Sequence, residues 1–243
     1  GAKVAEYWIK KKKKFTESSY FCVDWDAIQQ SMSRVSPQRR RWVSKFEAGI
    51  CATGPMMVFW KQRLVPNCPR CMYKIETTSH ILRCPSDSSM LKWEIAIQSF
   101  TEWLIAAQTC GDITDTLLAA IEQWRLHQVI TPPRESMFPG IQACVQEQSL
   151  IGWRQFLGGC LSRQWAVVQQ AYFTWLGSRK TGKKWARDLI FQLWKLGMAQ
   201  WEDRNKALHE TPLAEDIAGA MSLDISLQVE WILGKDDLPL HVQ

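Results

Sequence analysis

Cys68-Pro69-Arg70-Cys71, followed by His80 and Cys84, places four soft donors in one short stretch with the order C-x2-C-x8-H-x3-C. Two thiolates two residues apart grip one tetrahedral ion from a tight turn. A His and a Cys four apart lie on one face of a short helix and close the remaining corners. The pattern predicts a structural zinc site with ligands Cys68, Cys71, His80 and Cys84. All four corners are filled by protein, so no position is open for a reactive water. The competing reading is two buried Cys, a surface His and a helix Cys.

The residue after the second Cys of such a turn adopts φ > 0, where Gly is favoured. Met72 stands there, so the turn is expected to be strained or differently shaped. Thr77, Thr78 and Ser79 then cap a helix through His80-Ile-Leu-Arg-Cys84, which Pro85 ends.

Upstream, Asp24 is a good N-cap for a helix with Trp25, Ile28 and Met32 at helical spacing. Ser36-Pro37 starts a second helix, with Pro at its first position and Gly49 past its end. Its polar face carries Arg39, Arg40, Arg41 and Lys45, and Trp42, Val43 and Phe46 lie on the other side. This cationic face is the best single candidate for backbone contact with DNA or RNA. Gly54-Pro55 opens a third helix, expected to end near Arg63. The lysine block Lys10–Lys14 reads as a loop or mobile arm, either solvated or touching phosphates or an import receptor.

Downstream, Ser86 caps a long helix with a wide apolar face from Leu91 to Ala107. Cys110-Gly111 breaks it, and Asp112 is expected to cap the next, the two forming a helical hairpin. Residues 131–140 form the clearest linker and the expected boundary between domains 1–130 and 141–243. Beyond it, helices are expected over Gln146–Leu157, Ser162–Leu176 and Trp185–Glu210. Trp165, Trp175, Trp185, Trp194 and Trp201 follow helical spacing, which favours core packing over base stacking. Gly177-Ser-Arg-Lys-Thr-Gly182-Lys-Lys184 lacks the G-x4-G-K-[ST] order of a phosphate loop and no strand precedes it, which argues against nucleotide hydrolysis. As a basic tip, Lys183 and Lys184 either clamp a phosphate or are simply solvated. Residues 211–243 read as short acidic helices and a frayed tail. The expected fold is all-α: a multi-helix domain with an inserted CCHC zinc knuckle, then a C-terminal Trp-rich helical bundle.

A chain of 243 residues is long enough for one large or two small domains. Fourteen Trp is far above ordinary usage. No apolar run is long enough to span a bilayer and no signal peptide opens the chain, so no membrane partner is expected. The five Cys outside the knuckle are scattered, as in a reduced compartment, nuclear or cytoplasmic. The chain opens on Gly1-Ala2 rather than Met, as a piece of a longer polyprotein or a chain with a cloning scar would. Net charge is +6, with the basic residues gathered in 1–84 and 151–210 and the acidic ones in 85–150 and 211–243. Such clustering favours a polyanion partner, unless acidic helices pack against basic ones.

The stretch Cys68-Pro-Arg-Cys71…Thr77-Thr78-Ser79-His80-Ile-Leu-Arg-Cys84-Pro85 resembles the "zinc-binding in reverse transcriptase" domain of retroelement polyproteins. The flanks Val23-Asp24-Trp25-Asp26, Arg41-Trp42-Val43-Ser44-Lys45, Ile151-Gly152-Trp153 and Trp201-Glu-Asp-Arg204-Asn205 are similar to retroelement-derived proteins of diatoms and other microbial eukaryotes. The resemblance spans about residues 7–210. It implies a nucleic-acid-binding C-terminal region, and a reverse-transcriptase core as a partner.

Two functions follow as expectations. The first is a non-enzymatic nucleic-acid-binding domain in which zinc fixes the knuckle and Arg39, Arg40, Arg41, Lys45, Arg70, Lys74 and Arg83, with Lys183 and Lys184, contact phosphates. The second is a helical scaffold docking to a polymerase or to itself. A nuclease is disfavoured: Glu202-Asp203 beside Lys206 is an adjacent acidic pair, and adjacent residues on a helix point apart. RNA versus DNA, specificity and oligomeric state stay open.

Overall fold

The computed structural model describes residues 6–11, 14–133 and 138–210. These form helices throughout, with two isolated β-bridges and no strand among the described residues. The all-α expectation therefore holds.

Local chemistry sets most helix starts as read. The Asp24 carboxylate accepts from Ala27 N at 2.9 Å and caps Trp25–Ser33. Ser36 Oγ accepts from Arg39 N at 3.3 Å at the head of Pro37–Glu47, and Gly49 follows the helix at φ 69°. Ser86 Oγ accepts from Ser89 N at the head of Asp87–Ala106. Ser162 caps Arg163–Trp175 by accepting from Gln164 N.

Several boundaries differ from expectation. The helix opened by Gly54-Pro55 stops at Phe59, well short of Arg63. Gly111–Arg125 is led by Cys110, not Asp112, and the Asp112 carboxylate instead accepts from Phe138 N at 2.8 Å. The single helix expected over 146–157 is two, Ile141–Ile151 and Trp153–Leu157, broken at Gly152 with φ 105°. Tyr7–Lys11, read as part of a loop or arm, winds into a short π-helical turn. The rest of the lysine block lies partly outside the described residues, as does the core of the 131–140 linker and all of 211–243.

The chain divides into two compact units, and the 131–140 stretch separates neither. One unit comprises Gly1–Arg40 with Ile95–Gly197, and the other Arg41–Glu94 with Met198–Gln243.

In the first unit Ile141–Ile151 is the hub, packing against Glu17–Cys22, Trp153–Leu157 and Arg163–Trp175. The core holds Phe100, Leu104, Ile113, Leu117, Phe156, Trp165 and Phe173, all essentially inaccessible. Two buried glutamines stitch its loops. Gln148 donates to Cys160 O and accepts from Ser162 N, both at 3.0 Å. Gln169 accepts from Cys110 N and donates to Gln108 O, also at 3.0 Å. Each side-chain amide thus satisfies a donor and an acceptor that would be costly to bury alone. At Gly159, φ is 99°, and a Cβ would lie 2.7 Å from Trp194 Nε1. That indole donates to Gly158 O at 2.7 Å.

Of the Trp residues in the spaced series, Trp165, Trp185 and Trp194 are buried, as core packing requires. Trp201 is half-buried, and Trp175 is 71% exposed beside Tyr172 and Phe138.

The second unit is built around a buried ion pair. Arg204 donates through Nε to Glu76 Oε1 at 2.7 Å and through Nη2 to Glu76 Oε2, and both side chains are inaccessible. Glu76 also accepts from Gly54 N at 2.6 Å, and Arg204 Nη2 donates to Ala52 O at 2.9 Å. A bidentate pair with its remaining groups satisfied is the geometry in which burying two charges is tolerable.

Candidate metal centre and basic surfaces

The knuckle is positioned by backbone chemistry on both sides of the turn. Cys68 N donates to Lys74 O at 2.8 Å, Glu76 N to Pro66 O at 2.9 Å, and Asn67 forms an antiparallel bridge with Ile75. Inside this small hairpin Met72 N donates back to Cys68 O at 2.8 Å, and Tyr73 N to Cys71 O at 2.8 Å. Met72 sits at φ 65°, the left-handed region that a Gly would occupy without strain. The turn keeps the shape the ligands need, and Met72 carries the conformational cost. Thr77 then caps Thr78–Arg83, its hydroxyl accepting from His80 N at 2.9 Å. The helix ends at Cys84, just before Pro85.

The four donor atoms converge. The ligand atoms of Cys68, Cys71, His80 and Cys84 all lie within 4.8 Å of one another. Cys68 Sγ is 3.8 Å from Cys84 Sγ, and Cys71 Sγ is 3.5 Å from His80 Nε2. A tetrahedron with metal–sulfur bonds of about 2.3 Å and metal–nitrogen bonds of about 2.0–2.1 Å has edges of about 3.8 Å and about 3.5 Å for those pairs. The donor set is therefore arranged to hold a metal ion. Cys68 and Cys84 are buried, while Cys71 and His80 are half-buried.

The two buried thiols are hydrogen-bonded to each other, sulfur to sulfur at 3.8 Å. The hydrogen bond from Cys68, with further ones from His80 and Ser86, holds Cys84 far below an ordinary thiol. The same hydrogen bond, reinforced by burial, pushes Cys68 well up. A cation that replaced the proton of that bond would let both sulfurs be thiolates at once. None of the eight cysteines forms a disulfide.

Side chains from Gln200 to Arg204 brace the knuckle, a role that nothing in the local sequence signals. Arg70 is wholly buried as a side chain. Its guanidinium donates to Gln200 Oε1 at 2.8 Å, Asp203 Oδ2 at 3.2 Å and Ile81 O. Gln200 in turn accepts from Ser89 Oγ at 2.8 Å and donates to Ser89 O at 3.1 Å. Arg70, expected to contact phosphates, thus spends its charge inside the fold. Asp203 is occupied by Arg70 and accepts from Ser88 Oγ at 3.4 Å.

The other candidate contacts fall into two groups. Arg41, Lys45 and Lys74 are exposed and belong to the unit that holds the metal ligands. Arg41 and Lys45 are one turn apart on Pro37–Glu47, and the Lys74 ammonium lies 6.0 Å from the centre of the Tyr73 ring. Arg83 is half-buried in the same unit. Arg39, half-buried, and Arg40, whose Nε donates to Val35 O at 3.2 Å, belong to the first unit. So do Lys183 and Lys184, exposed at the head of Gly182–Glu210. Among the described residues no helix is long and apolar enough to cross a membrane.

Compared with protein-family models, with curated proteins and with solved structures, the chain matches none.

Proposed function

We propose that this chain is a zinc-dependent nucleic-acid-binding module, the C-terminal part of a retroelement reverse-transcriptase polyprotein. Zinc closes the knuckle, and exposed cations of the same unit meet the phosphate backbone. The observation that carries this reading is the convergence of the Cys68, Cys71, His80 and Cys84 donor atoms within 4.8 Å of one another. Zinc is the ion of choice because three thiolates and an imidazole suit it, and a closed four-ligand site serves structure rather than catalysis. In the same unit, Arg41, Lys45 and Lys74 are solvent-facing donors, and they are the residues we assign to phosphate contact. Arg70 acts as an internal brace.

The test has two arms. Metal analysis of the purified chain is expected to give one zinc per molecule. Binding to RNA and DNA oligonucleotides is expected to weaken steeply between low and moderate salt, because each phosphate contact releases a counterion. A metal-free folded protein, or one indifferent to polynucleotides, overturns the proposal.

A docking scaffold is the second reading. It is favoured by Ile95 and Ile105 of Asp87–Ala106, which are 53% and 69% exposed. Self-association seen by light scattering and lost on Ile95→Glu would support it.

A further inference from the structure

The first unit contains a cleft of about 540 Å³ that the proposed function does not use. That size falls within the range of about 300–1,000 Å³ typical of small-molecule sites. Its walls are aromatic: Trp103, Phe173 and Trp185 line it. Trp185 is fixed by donating its indole N–H to Thr109 Oγ1 at 2.9 Å, and Trp103 is half-buried, leaving ring surface open. The rim is cationic, formed by Arg179 and Lys180 of the 177–181 turn and by Lys184 at the head of Gly182–Glu210. Lys180 is tethered there, its ammonium 3.4 and 3.3 Å from Ala106 O and Ala107 O.

One carboxylate faces this cleft, and its charge is already matched. Asp188 accepts from Arg34 Nη1 at 2.6 Å and from Arg187 Nε at 2.9 Å. Asp188 and Trp103 also line a smaller cavity of about 230 Å³, shared with Arg34 and Arg187. The head of the Gly182–Glu210 helix lies at the rim and adds the positive end of its dipole. A flat apolar wall beside clustered cations suits a ligand with an aromatic ring at one end and phosphate at the other.

The geometry points to a binding site for a free mononucleotide, its base against Trp103 and its phosphates on Arg179 and Lys184. The site is independent of the metal centre, whose ligands all belong to the other unit.

Isothermal titration calorimetry of the full chain with AMP, ATP, adenosine, inorganic phosphate and a short single-stranded oligonucleotide tests this. AMP and ATP are expected to bind with one-to-one stoichiometry. Adenosine and inorganic phosphate, each offering half of the chemistry, are expected to bind at least about tenfold more weakly. Arg179→Ala with Lys184→Ala is expected to weaken ATP binding by about tenfold or more. Both side chains are exposed, so the fold is retained, which circular dichroism checks. Trp103→Leu is expected to weaken AMP while leaving inorganic phosphate unchanged. No binding of AMP or ATP, undiminished affinity in the double variant, equal affinity for phosphate and AMP, or binding of the oligonucleotide alone would each overturn the assignment.

Discussion

Met72 and Arg204 show how single positions set the properties of the metal-holding unit. Met72 holds φ 65° with its side chain 55% exposed, so it contributes strain and little packing. Met72→Gly is expected to raise the stability of the zinc-loaded protein by about 0.5–1 kcal/mol, relief of left-handed strain outweighing the added freedom of the unfolded chain. Urea unfolding at constant zinc reads this, and an unchanged or lowered midpoint counts against it. Arg204 has the opposite character. Arg204→Met leaves Glu76 charged and buried with its main partner gone, at an expected cost of about 3–5 kcal/mol. The companion variant Glu76→Gln with Arg204→Met is expected to recover part of that loss, as a double-mutant cycle would show.

Among the elements, the Pro37–Glu47 helix and the Phe156–Leu161 turn make separable predictions. Arg41→Ala and Lys45→Ala are each expected to lower RNA or DNA affinity and to reduce the salt slope by about one. Arg70→Ala is expected to act differently, lowering stability through its lost bonds to Gln200 and Asp203. At the turn, Gly159→Ala drives a Cβ into the Trp194 ring at φ 99°, with an expected loss of about 1–3 kcal/mol in thermal unfolding. The elements that were legible in the sequence are those whose signals are local. Asp24, Ser162 and Thr77 cap helices because a side-chain oxygen three residues or fewer away meets a free N–H. The four metal donors were legible for the same reason, since their spacing alone brings them together. Gly152 was not, because one Gly inside an apolar pattern costs a helix only about 1 kcal/mol and reads as tolerable. The bracing by Gln200, Asp203 and Arg204 was hidden because its partners lie more than a hundred residues away, as Arg204 does from Glu76.

At the scale of the molecule, the two units cut the chain inside Pro37–Glu47, Asp87–Ala106 and Gly182–Glu210, where no Pro- or Gly-rich signal marks a boundary. The 131–140 stretch lies within the span of one unit. On the zinc reading proposed above, a chelator is expected to raise amide exchange through 67–84 and around 200–204, leaving the Ile141–Ile151 hub protected. Exchange that rose equally everywhere would show that the ion stabilises the whole chain. Acid is expected to weaken zinc binding. The Cys68 thiol, pushed up by its bond to Cys84 and by burial, must give up a proton when metal enters. Competition with a chromophoric chelator at about pH 6 and about pH 8 should show the tighter complex at the higher value.

The brace formed by Arg70, Gln200 and Asp203 carries a practical corollary for dissection. A finger excised as 41–94 would leave behind the anchors that sequester its own guanidinium and the Glu76 carboxylate. Such a minimal fragment is expected to take up metal poorly and to precipitate. Grafting residues 198–210 back on, even as a separate peptide, should restore it.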